Sequence, residues 1–442
     1  MSSMANVWRQ RIGYGVADLS CNLVWQMITL YLMFYYTDVV GLAAVQVSLL
    51  FLLTRILDGV TDIIMGIIID KTNTKWGKSR PYFLWGAIPF ALLGILAFYV
   101  PDVGPAAKLI YAYMTYMGLS MAYTMVNIPL ASILPSLTRD PQERTILATV
   151  RIIFSFVGAT VVGVFTMPLV RLLGGGSQAD GFFWTMVIFS VIACLLFFFT
   201  FKNVEEKVKI QVEKVTVRQA FSALKGNKPY YIFALNILFM WGSYFIQQAA
   251  LIYYFTYNLG RPDLVSVIAG IASFVPLAGT FLTPFIAKKM LKRTVFMIAS
   301  VVNLTGILII LFAGLSISWI IVGAVIAAIG YGTRQSIYFS MQADPVDYGE
   351  WKTGINAAGI LSAINGFLGK VTMAVTSALF GLLLDWSHYI PNVDQTENVL
   401  FAIKLGYLII PAVLVVLSII TMSFYNLDKI YPDIRAEIDR RI

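Results

Sequence analysis

Three charged side chains, Arg55, Asp58 and Asp62, stand close together in an otherwise apolar segment. A charge at the centre of a bilayer-spanning helix costs roughly 2.5–3.5 kcal/mol, so such side chains rarely face lipid. Asp58 and Asp62 are four residues apart, which places both on one helix face. Two close carboxylates in a dry site need a shared proton or a cation between them, and their oxygens suit a hard cation. The alternative is a structural ion pair between Arg55 and one aspartate.

The composition predicts that this segment lies in a membrane. Of the 442 residues, 59% are hydrophobic and 12% are charged, whereas an average soluble protein has about 25% charged residues. A spanning helix needs roughly 20 apolar residues, and each span must satisfy its own backbone hydrogen bonds, which favours helices. We therefore predict an all-α integral membrane protein with twelve transmembrane helices, near residues 13–37, 43–68, 82–101, 109–134, 149–171, 181–201, 231–257, 265–287, 294–313, 317–343, 356–385 and 399–425.

The basic residues predict the orientation of these spans. Most of the 32 Lys and Arg residues fall near the termini and in alternate loops, and basic loops stay in the cytoplasm. Both termini are therefore predicted to be cytoplasmic, and the net charge of +9 reflects topology, not nucleic acid binding. A basic loop at the midpoint divides the spans into two sets of six, as in the major facilitator fold, whose substrate site lies near the midplane. The predicted domains are a six-helix bundle at 1–201, a cytoplasmic linker at 202–229 and a second bundle at 230–442.

Polar side chains also interrupt the first, fourth and fifth predicted spans. Thr124 and Asn127 are three residues apart on one face of the fourth span, and Asn22 and Trp25 have the same spacing in the first. Arg151 lies at the start of the fifth. The two asparagines either line a cavity or make ordinary interhelical hydrogen bonds. The Trp25 ring can stack on the apolar face of a sugar ring.

Lys370 lies deep in the apolar run of the eleventh predicted span. A buried cation is expected to pair with a carboxylate or to line a pathway, and we predict that Lys370 pairs with Asp58 or Asp62. An enzyme is not indicated, because the single histidine, His388, lies in a predicted external loop and no nucleophile, zinc or nucleotide-binding motif is present. No cofactor is expected besides a coupling ion.

Five segments together resemble the glycoside–pentoside–hexuronide:cation symporters, the family of melibiose, glucuronide and xyloside carriers. The resemblance follows the order of the family along the whole chain. The segments are YYTDVVGL (35–42), RILDGVTDIIMG (55–66), TKWGKSRPY (74–82), YTMVNIP (123–129) and ADPVDYGEWKTG (343–354).

The resemblance implies specific roles for matching residues. The cation site of the family matches Asp58 and Asp62, which would be the metal ligands if the ion is Na⁺, with Thr124 as a further oxygen and Lys370 as the lysine of the site. The sugar-contacting arginine of the family matches Arg151.

Departures from the melibiose pattern bear on the substrate. Thr61 replaces an asparagine between the two aspartates, which leaves H⁺ and Na⁺ both open as coupling ions. Asn22 and Asn127 replace carboxylates and would bind hydroxyl groups without repelling an anion. Because Arg151 can bind a carboxylate with two hydrogen bonds, a hexuronide fits the site, and the VNIP form of the fourth span resembles the glucuronide and pentoside branches. A pentoside or hexuronide is therefore favoured over a galactoside.

The resemblance and the residues predict a secondary active transporter, a cation-coupled symporter that imports the sugar by alternating access. The protein is expected in the plasma membrane, without a nucleic acid partner and as a monomer. Asn22, Trp25, Asn127 and Arg151 would bind substrate, and Asp58→Asn would abolish accumulation. The alternatives are an uncoupled carrier or exporter of amphipathic compounds and a non-transporting sensor or scaffold. The predicted gating and cytoplasmic-loop residues are Arg55, Asp70, Lys78, Arg80, Asp344, Asp347 and Glu350.

Overall fold

The regular structure of the chain is helical. A computed structural model describes residues 4–138, 140–207, 226–342, 344–354 and 358–441. In these ranges the β-type pairing consists of one isolated bridge, between Thr74 and Gly77. The predicted all-α class is therefore confirmed, as expected for apolar segments that must satisfy their own backbone hydrogen bonds.

The helices of the first half begin and end close to the predicted spans. The first helix continues into two π-helical turns, Ile28–Leu32 and Tyr35–Val39. The helices are α1 (Met4–Met27), α2 (Ala44–Lys71), α3 (Pro81–Trp85), α4 (Ala87–Ala97), α5 (Pro105–Ser132), α6 (Leu134–Leu137), α7 (Pro141–Leu173) and α8 (Gln178–Asn203).

The second half contains two further π-helical turns, Tyr254–Asn258 and Leu405–Ile409. Its helices are α9 (Lys228–Tyr253), α10 (Leu264–Phe274), α11 (Pro276–Ala287), α12 (Lys292–Phe312), α13 (Ile317–Met341), α14 (Asp344–Thr353), α15 (Ala358–Trp386), α16 (Glu397–Lys404), α17 (Ile410–Ser423) and α18 (Leu427–Arg441).

Eight helical stretches among the described residues, the first beginning at Ile146, are long and apolar enough to cross a membrane. Helices α1, α2 and α5 have 24, 28 and 28 residues, which is within the range of lengths of these eight stretches. They carry many of the buried polar side chains. Together with the shorter apolar segment Pro81–Ala97, these stretches correspond to the twelve predicted spans.

The chain forms two compact units. In the first unit α1 packs against α7 and α8, and α2 packs against α5. In the second unit α12 packs against α13 so closely that a Cβ atom on Gly306 would lie 2.3 Å from the Ala327 amide nitrogen. The first unit comprises Met1–Gln211, Phe255–Ser273 and Gly381–Val399, and the second comprises Val212–Tyr254, Phe274–Phe380 and Leu400–Ile442. The predicted bundle boundaries at 201 and 230 stay a prediction, and most of the predicted linker, residues 208–225, lies outside the described residues.

Candidate functional site

Helix α2 carries its charged and apolar residues on different faces. Arg55 and Asp58 are buried and Asp62 is half-buried, and all three follow the three- to four-residue spacing of one face. The helix packs against α5 on this side. The other side carries exposed aliphatic residues suited to lipid, namely Ile56, Val60, Ile63 and Ile67.

Asp58 is held by two donors. Its Oδ2 accepts a hydrogen bond from Arg55 Nη1 at 2.6 Å, and its Oδ1 accepts one from the Ser120 hydroxyl of α5. Arg55 also donates to Tyr116 Oη at 2.7 Å. Arg55 and Asp58 therefore form the structural ion pair that the sequence analysis gave as the alternative. Arg55, predicted as a gating residue, lies in the middle of α2, where its charge balances that of Asp58. Ser120 was missed, although its position four residues before Thr124 places it on the same face of α5.

Asp62 lies one helical turn beyond Asp58 and has a different partner. The Thr124 hydroxyl donates to Asp62 Oδ1 at 3.0 Å. Each aspartate of α2 thus has one hydroxyl partner on α5, and the spacing is four residues within both helices. The structure thus places the Thr124 hydroxyl, predicted as a further oxygen of the cation site, beside the Asp62 carboxylate.

Aromatic rings connect the ion pair to α1 and α5. The Arg55 guanidinium lies 4.7 Å from the ring centroid of Trp25. Trp25 in turn stacks on Tyr123, with centroids 4.6 Å apart and an angle of 24° between the planes. The half-buried Trp25, predicted to bind sugar, therefore contacts the same arginine that holds Asp58.

Asn22 and Arg151 are brought together by the packing of α1 against α7. The Asn22 amide donates to the Asp18 carbonyl and to the Ser155 hydroxyl, both at 2.9 Å. The two helices approach closely at Gly158, where a Cβ atom would lie 2.9 Å from Asn22 Cβ. Arg151 Nε lies 3.4 Å from Asp18 Oδ2, so its charge is already balanced, which the sequence analysis did not anticipate.

Asn127 lies on α5, three residues beyond Thr124, and is half-buried. Its side chain makes no hydrogen bond to the residues that the structure describes, whereas the Asn22 amide has two. Of the two predicted asparagines, Asn127 therefore has its amide available for hydroxyl groups.

The loop after α2 is fastened by a glutamate. The backbone amides of Lys78, Ser79 and Arg80 donate to the Glu206 carboxylate at 2.7–3.0 Å. Arg80 Nε also donates to the Phe201 carbonyl at 2.7 Å. The exposed Lys78 thus contributes its backbone to this contact. The side chain of Asp70, predicted to brace the same loop, lies outside the described residues.

The predicted loop residues of the second unit, Asp344, Asp347 and Glu350, lie on helix α14. Lys292 Nζ lies 2.7 and 2.9 Å from the two oxygens of Asp344, and the Tyr431 hydroxyl donates to Asp347 Oδ2 at 2.6 Å. Glu350 is half-buried on the same helix. These contacts fix α14 within its unit.

Lys370 is half-buried on α15 of the second unit. Asp58 already has Arg55 and Ser120 on its two oxygens. The pairing of Lys370 with an aspartate of α2 stays a prediction.

Another buried carboxylate, Asp38, lies near the end of the second π-helical turn after α1, Tyr35–Val39. The hydroxyls of Tyr257 and Tyr389 both donate to Asp38 Oδ1, and Thr37 donates to Oδ2 at 2.5 Å. The Asn392 amide donates to the Asp38 carbonyl at 2.7 Å. All five residues belong to the first unit. We call this group the Asp38 cluster; sequence reasoning missed it because its members are far apart in the chain.

The donor set bears on which ions the site could hold. Among the described residues, no group of three or more His, Cys, Asp or Glu side chains is arranged to hold a metal ion. Asp62 and Thr124 together present carboxylate and hydroxyl oxygens, which are the donor atoms that hard cations prefer.

Known proteins resemble this chain over nearly its whole length. A family model described as MFS/sugar transport protein matches residues 13–429. The isoprimeverose transporter of Lactiplantibacillus pentosus is 39% identical over 98% of this chain and 92% of its own length. The glucuronide carrier protein homolog of Escherichia coli (strain K12) is 30% identical, over 98% and 96% respectively.

A solved structure, that of the nucleoside transporter NupG, shows the fold. It is 16% identical, covers 96% of this chain and 100% of its own, and has a TM-score of 0.67. The predicted fold class, twelve spans in the major facilitator arrangement, is confirmed by this likeness together with the family match.

Proposed function

The chain belongs to the MFS/sugar transport family, and from that premise we propose that it imports a glycoside, pentoside or hexuronide together with H⁺ or Na⁺ by alternating access. Membership makes it a multi-pass membrane transporter and not an enzyme, and the names of its relatives confirm the resemblance to glycoside–pentoside–hexuronide:cation symporters. The sensor or scaffold alternative does not fit this membership. The plasma membrane as its location is part of the proposal.

The observation that carries the proposal is the different environment of the two aspartates on α2. Asp58 is 2% exposed and bonded to Arg55 and Ser120. Asp62 is half-buried and accepts a hydrogen bond from Thr124. A partly exposed carboxylate can gain and lose a cation, whereas a fully buried one whose charge is already balanced by an arginine cannot do so at low cost. We therefore assign cation exchange to Asp62 and the support of the site to Asp58.

Coupling between cation and sugar would pass through the aromatic stack. The Asp58–Arg55 pair lies one turn from Asp62 and contacts Trp25, which stacks on Tyr123. A cation bound at Asp62 would change the electrostatic attraction on the Arg55 guanidinium, because Asp62 lies one helical turn from the carboxylate to which Arg55 is bonded. The position of the Trp25 ring, and thus the affinity for a sugar, would then depend on the cation.

The decisive experiment replaces Asp62. In vesicles with an imposed proton or sodium gradient, Asp62→Asn is expected to lose concentrative uptake of the transported sugar while sugar exchange without a gradient continues. Asp102→Asn is the matched control, because it makes the same chemical change at an exposed carboxylate. Asp58→Asn is less informative, because it also leaves Arg55 buried without its partner.

The same vesicles identify the ion and the sugar. A xyloside, a glucuronide and a galactoside would be offered in turn, with each gradient imposed separately. Uptake that follows neither gradient, or full accumulation by Asp62→Asn, would replace the symporter with the uncoupled carrier.

A further inference from the structure

A buried arginine of the second unit has a role that the proposed cation site leaves unassigned. Arg334 lies on α13 and is 1% exposed. Its Nε and Nη1 atoms are buried without a hydrogen-bond partner among the residues that the structure describes. Guanidinium groups stay charged in proteins, and a buried charge without compensation is strongly unfavourable. Such a side chain is expected to have a partner that the chain itself does not supply.

The carboxylates described near the end of α13 are engaged elsewhere. Asp344 is bonded to Lys292, and Asp347 accepts a hydrogen bond from Tyr431. The hydroxyl group next to Arg334 in the chain, that of Thr333, donates to the carbonyls of its own and a neighbouring helix. None of these groups is bonded to Arg334, so a ligand could supply the opposite charge.

Two stacked rings adjoin the arginine. The guanidinium lies 5.9 Å from the ring centroid of Tyr331. Tyr331 stacks on Tyr244 of α9 with centroids 4.8 Å apart and an angle of 9° between the planes. Both tyrosines are half-buried, whereas the arginine is buried. Aromatic faces contact the apolar face of a sugar ring, and a guanidinium binds a carboxylate through two parallel hydrogen bonds.

We propose that Arg334 binds the carboxylate of a transported hexuronide, with the Tyr331–Tyr244 stack against its sugar ring. This inference names the substrate class within the proposed function and rests on it. A neutral sugar would hydrogen-bond to the guanidinium but would leave its charge uncompensated, whereas a carboxylate supplies both the acceptors and the opposite charge.

Arg334 fits this role better than Arg151, the arginine assigned to it from the sequence. Arg151 has Asp18 at 3.4 Å and the Tyr14 hydroxyl at 3.4 Å. A substrate carboxylate at Arg151 would have to compete with a carboxylate already in place. At Arg334 the described part of the chain presents no such competitor.

Binding of a matched pair of ligands to the purified protein in detergent tests the assignment. The probes are 4-nitrophenyl glucuronide and 4-nitrophenyl glucoside, which differ in the carboxylate. The native protein is expected to bind the glucuronide more tightly. Arg334→Gln should weaken glucuronide binding by about 30-fold or more, the effect of removing one partner of a buried charge pair, with little change for the glucoside. Arg334→Lys should retain part of the preference.

Arg261→Gln is the control variant, because it removes an arginine whose partner, Asp263, is exposed on the surface. It should bind both probes as the native protein does. Arg334→Met should unfold at the native temperature or above it without ligand, since it removes an unpaired buried charge, and should lose the thermal stabilisation that the glucuronide gives.

Three outcomes would overturn the inference. The first is an equal loss of affinity for both probes in Arg334→Gln, which would mean that Arg334 donates hydrogen bonds to sugar hydroxyls and does not bind the carboxylate. The second is a large loss of thermal stability in Arg334→Met, which would show a structural partner. The third is stabilisation by phosphatidylglycerol but not by the glucuronide, which would assign the arginine to a lipid headgroup. Since no gradient is involved, these results are independent of whether Asp62 couples uptake to a cation.

Discussion

Two arginines of this protein are buried to nearly the same degree and both lie beside aromatic rings, but they differ in their hydrogen-bond and charge partners. Arg55 is 4% exposed and is bonded to Asp58 and Tyr116, with its face against Trp25. Arg334 is 1% exposed, and two of its nitrogen atoms have no partner among the described residues. The first charge is compensated by the chain, and the second is not.

The difference separates two uses of charge within a membrane. A compensated pair fixes the position of helices and of neighbouring rings, and breaking it is costly because one charge is left alone. An uncompensated charge lowers stability, and is therefore expected where a ligand repays that cost. The first kind supports a site, whereas the second kind is part of one.

The largest effect that distinguishes the two arginines is on stability. Arg55→Met is expected to destabilise the protein by about 3–5 kcal/mol, because it leaves Asp58 buried without its counter-charge. Thermal unfolding of the purified variant in detergent measures this loss. The double variant with Asp58→Leu should recover most of it, since a buried pair replaced by apolar residues is often tolerated.

A double variant no more stable than Arg55→Met would contradict this account, because it would show that Arg55 stabilises the protein chiefly through Tyr116 and Trp25. Equal loss in Arg334→Met and Arg55→Met would remove the contrast between the two arginines altogether.

The Asp38 cluster is an intermediate case, a buried carboxylate compensated by neutral hydroxyls. Tyr257 and Tyr389 both donate to Asp38 Oδ1. Tyr389→Phe removes one donor and is expected to destabilise the cluster by about 1.5–3 kcal/mol, the usual value for a hydrogen bond to a charged group. Spin labels at Ala43 and Val393, both exposed, would report a wider distribution of distances when the cluster opens.

Tyr99→Phe is the matched control, because it removes the hydroxyl of an exposed tyrosine outside the cluster. An unchanged distribution in Tyr389→Phe would mean that the remaining donors, Tyr257 and Thr37, hold Asp38 by themselves.

The sequence was sufficient for the elements and for one face of the site. The predicted span at 43–68 corresponds to α2, Ala44–Lys71, because a long apolar run bounded by polar loops can form little else in a bilayer. The helical spacing of Asp58 and Asp62 placed both on one face, and the matching spacing in α5 brings Thr124 to Asp62.

What the sequence could not settle is which charge pairs with which. Arg151 and Asp18 are far apart in the chain and meet only because α1 packs against α7. Arg334 and Arg151 are the same kind of residue in the same kind of apolar run, so nothing local separates a balanced arginine from an unbalanced one. The Asp38 cluster joins Tyr257 and Tyr389 from distant segments, and no spacing rule links such positions.

The smallest expected effect is a pH dependence of the Asp38 cluster. Asp38 lies just beyond the first predicted span, and burial raises the pKa of its carboxyl above the ordinary value, although hydrogen bonds from Thr37, Tyr257 and Tyr389 lower it in part. The closed cluster therefore binds a proton more tightly than an opened, hydrated Asp38, so closure is favoured as the pH falls through the raised pKa towards the ordinary one and is disfavoured above it. The distances between labels at Ala43 and Val393 should narrow over that acidic interval and stay constant at higher pH. Asp38→Asn cannot titrate and should give the same distribution at every pH; a pH response that persists in this variant would show that another group controls closure.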